Sequence, residues 1–239
     1  MSSTIGRTAL ALATAALVST GCFKLARTSP PVERYVLGGA RVASSDAAPR
    51  DTTRDTTKLA IGLRRLDLAP YLATLAIVVR RADNEIVTSG FHRWAESPGE
   101  GLNRAISGYL AAAPGIRSVD VAPWPIRSDH DYLVQLHVGR LEGVEPGAAV
   151  ARAGEAHLLV RWEIIRPRDG ALVARGTTDH RAADWVVGDY GALVSLLDQG
   201  LVVLARDLVA CLGSLGPPVP ADSVLGAVDR GATIECVGR

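Results

Sequence analysis

Between residues 131 and 184 the apolar positions recur at every second residue. In "DYLVQLHVGRLEG", Tyr132, Val134, Leu136 and Val138 face one way, with Gln135 and His137 opposite. "EAHLLVRWEIIRP" repeats the pattern, with Leu158, Val160, Trp162 and Ile164 inward and His157, Arg161 and Glu163 outward. "DGALVARGTTDHRAAD" begins at a turn and continues as a third strand. Period-two patterning with one wet face predicts antiparallel strands covered on a single side. Earlier in the chain, "RYVLGG" is a short strand candidate and "KLAIGLRRLDL" (58–68) reads as a buried strand. "AIVVRR" and "EIVTSG" flank "ADN", a hairpin with a polar turn.

The cover follows the helical period. From Gly101 to Ala113 the apolar positions are Leu102, Ile106, Tyr109, Leu110 and Ala113, one face of an amphipathic helix stopped by Pro114-Gly115. Tyr190, Leu193, Val194, Leu197, Leu201, Leu204 and Leu208 recur every three or four residues and predict a long helix ending near Gly213. The expected fold is α+β, a mostly antiparallel sheet covered on one face by two amphipathic helices in a single domain. Residues 38–57, "GGARVASSDAAPRDTTRDTT", are small, polar and without apolar periodicity, and read as a flexible segment. The tail after the long helix is Pro-rich.

The first residues change the picture. Arg7 precedes an uncharged run from Thr8 to Thr20, followed by Gly21-Cys22. A short basic start, an apolar stretch too short to span a bilayer comfortably and a small-residue cleavage site describe a secretory signal. Ser19-Thr20-Gly21-Cys22 resembles a bacterial lipobox, whose cysteine receives lipid after cleavage. The resemblance implies several acyl chains on Cys22, an attachment that is effectively permanent at about 0.8 kcal/mol per buried CH₂. Phe23 follows the cysteine in place of the aspartate that tends to retain lipoproteins in the inner membrane, which favours the outer membrane, facing the periplasm.

Cleavage removes one charged residue, Arg7, and leaves 25 basic (26 − 1) and 25 acidic side chains. That balance, with no long basic run, lacks the electrostatic grip that nucleic-acid binding needs. The most apolar later segment, Leu193 to Leu212, is interrupted by Asp198, Gln199, Arg206 and Asp207 and is no membrane span. Two cysteines remain, Cys211 and Cys236. An even number in an oxidising compartment favours a disulfide, worth about 3.5 kcal/mol for this loop in the chain-entropy model. Two unpaired thiols are the alternative.

Candidate chemistry is thin. No G-x-S-x-G elbow, H-E-x-x-H, Walker loop or dinucleotide fingerprint occurs, so no catalytic residue, metal or cofactor is expected. "SDHD" (128–131) reads as a solvated loop before a strand. His137 and His157 could neighbour each other on the wet face, with no third ligand in sight for zinc. In "FHRWAESP", Phe91 and Trp94 stand three apart and cannot both point inward from one regular strand, so the strand bends or ends there. A structural corner leading into the following helix is the plain reading; a partner-facing surface is the other.

That corner also carries a family resemblance. "DLAPYLATLAIVVRRADNEIVTSGFHRWAES" resembles the signature of the PqiC family, the ABC-transport auxiliary lipoproteins. The matching positions are Leu68, Pro70, Tyr71, Leu72, Ile77, Val78, Arg80, Asn84, Glu85, Phe91, His92, Arg93, Trp94, Ala95 and Glu96. Tyr35 to Leu37 matches the family's first strand, and Tyr190, Leu193, Val194, Leu201, Leu204 and Leu208 its final helix. Ala69 and Ala73-Thr74 depart from the pattern, as does the Pro-rich extension carrying Cys236. The implied organisation is a signal peptide (1–21), a tether (22–33), the family domain (34–213) and a C-terminal extension (214–239).

The resemblance implies a non-enzymatic, homo-oligomeric lipoprotein anchored through Cys22. Its partner would be an MCE-domain protein forming a periplasm-spanning conduit for lipids. The lipoprotein would dock the far end of that conduit at the outer membrane and so support envelope integrity. Pro70, Tyr71, Leu72, Phe91, His92, Arg93, Trp94 and Glu96 would hold the corner or face the partner. Two other classes stay open. A periplasmic lipid-binding shuttle needs an internal apolar cavity, and a periplasmic hydrolase needs a positioned nucleophile and base.

Overall fold

Fourteen residues long, β7 (Tyr132–Glu145) is the central strand of the sheet. The computed structural model describes residues 30–39, 58–82, 84–125, 128–147, 153–217 and 233–237. The signal peptide, Cys22, most of the 38–57 segment and most of the C-terminal extension lie outside them. The strands before β7 are β1 (Glu33–Tyr35), β2 (Leu59–Leu63), β3 (Asp67–Leu68), β4 (Ala76–Arg81), β5 (Glu85–Trp94) and β6 (Ile116–Val121). Those after it are β8 (Ala153–Ile165), β9 (Leu172–Val186) and β10 (Ile234–Val237). The helices are α1 (Pro98–Ala111) and α2 (Tyr190–Leu215). A 3₁₀ turn at Pro70–Leu72 precedes β4.

The sheet is mixed and runs β1-β5-β4-β7-β8-β9-β10. The long strands β7, β8 and β9 pair antiparallel, as their alternation implies, and so do β4 and β5. Shorter parallel pairings complete it. Along the edge of β7 away from β8 lie β2, β3 and β4 in succession, all parallel to it. The run read as one strand over 58–68 is broken at Arg64–Leu66 into β2 and β3, each pairing with its own stretch of β7. β6, which alternates too weakly to stand out in sequence, pairs with β2.

Both helices lie on one face. Leu102, Ala105, Ile106 and Leu110 of α1, and Leu193, Leu197, Leu201, Leu204, Leu208 and Leu212 of α2, are buried at helical spacing. They meet Val134, Leu136, Val138, Leu158, Val160, Trp162 and Ile164 of the sheet in one hydrophobic cluster. The Asp189 side chain accepts from Ala192 N–H and starts α2. Gly216, at φ 66°, ends it in the left-handed region. Gly143 lets the helix layer close on the sheet, since a Cβ there would lie 2.6 Å from the Trp185 ring.

Two bulges decide which side chains face outward. Val138 pairs with Val160 but Arg140 with Leu159, so Gly139 is the extra residue in β7 and the inward positions shift to Leu141 and Gly143. Arg140 and Glu142 thereby face away from the helices. In β5, Ala76 pairs with Arg93 but Val78 with Thr88, so Ser89–His92 bulges out opposite Ile77.

At the far edge, β10 pairs parallel with β9, and Cys236 is bonded to Cys211 of α2 in a disulfide. Gly176 permits this close packing. A Cβ there would lie 2.3 Å from Trp162 and 2.5 Å from the Cys236 carbonyl. No helix among the described residues is long and apolar enough to cross a membrane.

Candidate functional site

The signature residues converge on two structural knots. The first is the corner after the β5 bulge. Ser89 Oγ accepts from the His92 backbone N–H at 3.0 Å and lies 2.8 Å from His92 Nδ1, closing the bulge on itself. The His92 ring stacks on Tyr190 of α2, with centroids 4.1 Å apart and planes 14° from parallel. The Trp94 side chain turns into the core, and the Trp94 backbone N–H donates to Leu75 O at 2.7 Å. Glu96 pairs with Arg104 of α1, which also donates to Leu37 O. Asp198 of α2 accepts from Tyr109 of α1 at 2.6 Å and from Gly38 N–H at 2.8 Å. Gly38 is thus tied down, whereas the polarity of the sequence around it predicts flexibility. Tyr35 donates to Glu33 at 2.5 Å; burial, then that carboxylate, push its phenol up to about 12.

The second knot sits on the outer face of the sheet. Glu142 is 0% exposed, and its carboxylate accepts from Arg80 Nε at 2.6 Å, Arg140 Nη1 at 3.0 Å and the Tyr71 hydroxyl at 2.9 Å. Burial, and next the hydrogen bond to Glu142, raise the Tyr71 phenol. The hydrogen bond to Glu142 raises Arg80. Tyr71 and Arg80 both belong to the signature, yet their shared partner Glu142 escapes a reading by alternation, because the Gly139 bulge moves it to the other face. The 3₁₀ turn carrying Pro70, Tyr71 and buried Leu72 is fastened to β7 by this cluster. Of the signature residues in the corner, Phe91, Arg93 and Ala95 remain on the surface.

The five histidines divide between these knots and the sheet. His130 is buried, 2.9 Å from Asp120 and edge-on to Trp124, and Asp131 accepts from Ala60 N–H. The "SDHD" stretch is therefore an embedded corner and not a solvated loop. His137 lies 3.1 Å from Asp67. His157, opposite Glu142 in the ladder, is 1% exposed with Nε2 2.8 Å from Asp179. Burial lowers its basicity. His137 pairs with Arg161 and so does not meet His157. The His180 ring lies 3.0 Å from where a Cβ on Gly200 of α2 would sit. Among the described residues no group of His, Cys, Asp and Glu is arranged to hold a metal ion.

One arrangement resembles a nucleophile with its base. Ser89 contacts His92 Nδ1, and His92 Nε2 lies 3.9 Å from Glu33. The Ser89 hydroxyl is also bound to backbone N–H groups, and the imidazole is stacked under Tyr190, so these contacts hold the bulge. The larger recesses lie elsewhere. One, of about 640 Å³, runs between α1 and the ends of β2 and β6, with Arg65, Glu100 and Arg104 in its walls. The other, of about 600 Å³, crosses the outer face of β7–β10 over His137, Arg161, Glu163, Arg175 and Glu235. Both are open and carry charged side chains.

Comparison with known proteins agrees with the signature. The family described as "ABC-type transport auxiliary lipoprotein component" matches residues 42–209. A crystal structure of a Xanthomonas campestris protein of family DUF330 is similar at TM-score 0.54 and 18% identity, covering 64% of this chain and 83% of that one. A second crystal structure, of an uncharacterized protein, is similar at TM-score 0.50 and 18% identity, covering 64% and 90%. At such identities the likeness concerns the fold alone. No curated protein matches the chain. With the signature knots in place and the family model spanning well over half its length, the chain belongs to the ABC-type transport auxiliary lipoproteins, the PqiC-like family.

Proposed function

We infer that this protein is a non-enzymatic adaptor, anchored in the outer membrane by acyl chains on Cys22, that docks an MCE-domain conduit carrying lipids across the periplasm. The observation that carries this reading is the family match over residues 42–209. The geometry supports it from another side. Four polar signature residues, Tyr71, Arg80, His92 and Glu96, are engaged in holding β5, α1, α2 and the 3₁₀ turn together, which leaves the outer surface, Arg93 included, as the part available for interaction. A shuttle would enclose acyl chains in an apolar cavity. Among the described residues the interior is filled by leucines, Trp162 and Trp185, and the large recesses have charged walls. The adaptor acts as a homo-oligomer, one conduit end meeting several copies.

The test is capture from detergent-solubilised membranes with the full acylated chain as bait. An MCE-domain protein should co-purify with it and be lost from the Cys22→Ser variant, which stays folded. Recovery of lipid with no such protein would favour the shuttle. The Ser89–His92–Glu33 alignment supports a second reading, a periplasmic hydrolase. Esterase activity of the purified protein, abolished by Ser89→Ala with an unchanged melting temperature, would establish it.

A further inference from the structure

β1 and β5 pair in parallel with Arg34 opposite Arg93. Both arginines are exposed, and among the described residues neither has a hydrogen-bond or ion-pair partner. Like charges in register on neighbouring strands repel, so this edge is less stable than one with a neutral or opposite pair. The neighbouring carboxylates are committed elsewhere. Glu33 holds the Tyr35 hydroxyl, and Glu96 holds Arg104. Three exposed large apolar residues belong to the same strand ends. Val36 follows β1 and is 48% exposed, Phe91 rises from the bulge at 41%, and Leu75, whose carbonyl accepts from Trp94 N–H, is at 45%. Two unmatched cations among exposed apolar groups match a surface that is anionic outside and apolar beneath.

We propose that the Arg34–Arg93 pair, with Val36, Leu75 and Phe91, is a membrane-contact surface that binds phospholipid phosphates and sets the orientation of the domain on the bilayer. The proposal rests on the reading of Cys22 as the lipid attachment site. The length of chain favours a bilayer over an acidic protein as the occupant. Eleven Cα-to-Cα steps (33 − 22) lead from Cys22 to Glu33. Fully extended they reach about 38 Å, so an anchor at Cys22 keeps this edge within that distance of the lipid. Phosphate binding by the two guanidinium groups is planar and multiply hydrogen-bonded. With this edge on the membrane, the opposite edge, β9 and β10, is directed towards the periplasm and the conduit.

With Cys22 acylated and Cys211 bonded to Cys236, an introduced cysteine is the single free thiol. The full acylated chain carrying Val36→Cys, Phe91→Cys or, as a distant control, Arg168→Cys would be labelled with a fluorophore. It would then be reconstituted on vesicles of phosphatidylglycerol and phosphatidylethanolamine doped with a headgroup-nitroxide lipid. Labels at 36 and 91 should be quenched more strongly than the label at 168. Arg34→Glu/Arg93→Glu should abolish the difference while the protein still floats with the vesicles. Replacing the anionic lipid by phosphatidylcholine should weaken it. Equal quenching at the three sites, or quenching unchanged by charge reversal, overturns the proposal. So does shielding of the labels at 36 and 91 by an added partner protein in place of lipid. A wild-type chain that fails to float contradicts the anchor itself, and the proposal with it.

Discussion

Glu142 is the residue on which the outer face depends. Its carboxylate is fully buried and shared by Arg80, Arg140 and Tyr71. Glu142→Ala removes the carboxylate that Arg80 and Arg140 share, and truncating one partner of a buried ion pair costs about 3–5 kcal/mol. Urea denaturation should show a loss in that range; a loss no larger than at an exposed site would mean that the cluster does not fasten the 3₁₀ turn. His157, its neighbour across the ladder, should make stability depend on pH. Burial, opposed by Asp179 and reinforced by Arg181 and Arg140, depresses the folded-state basicity below the ordinary 6.5. The unfolded chain therefore binds the proton more readily, and the contribution of His157 is complete above about pH 6.5 and lost as pH falls through that value. The urea midpoint of wild type should fall between pH 7.5 and 5.5, and less so in His157→Gln. Parallel profiles would contradict the assignment. In sequence, Tyr71, Arg80 and Trp94 stood out through the family resemblance, but Glu142 and Asp198 did not. Apart from Arg140, their partners come from elements more than sixty residues away, and no local pattern encodes such a meeting.

At the scale of elements, the three long antiparallel strands and both helices were legible because each has a single buried face, and periods of two and 3.6 record that directly. The short parallel strands β2, β3, β6 and β10 were not resolved as such, since their pairing is set by what lies along the edges of β7 and β9. β10 is the clearest case. Four residues of edge strand would be marginal alone, but the disulfide to α2 and the absent side chain of Gly176 hold it against β9. Replacing both Cys211 and Cys236 with alanine should lower stability by about 3.5 kcal/mol. It should also remove hydrogen-exchange protection from residues 234–237, while β7 and β8 keep theirs. Gly176→Ala forces a methyl group against Trp162 and the Cys236 carbonyl, and overpacking of this kind costs about 1–3 kcal/mol. A neutral result for that substitution would place β10 further from β9 than described here.

For the molecule as a whole, sequence and structure divide the account between them. The fold gives an α+β body in which Tyr71, Arg80, His92 and Glu96 of the signature serve internal contacts. The N-terminal sequence carries the proposed attachment site, Cys22, and the family gives the transport context. Net charge near zero and a packed interior suit a module that works through its surface. The proposed anchor at Cys22 is the point where these meet, because the proposed docking body would have no fixed place in the envelope without it. Density-gradient separation of inner and outer membranes, from cells making wild type or Cys22→Ser, tests it most directly. Wild-type protein should band with the outer membrane, and the variant should be missing from that band while its folded domain is intact by circular dichroism. Equal amounts of the two proteins in the outer-membrane fraction would contradict the account.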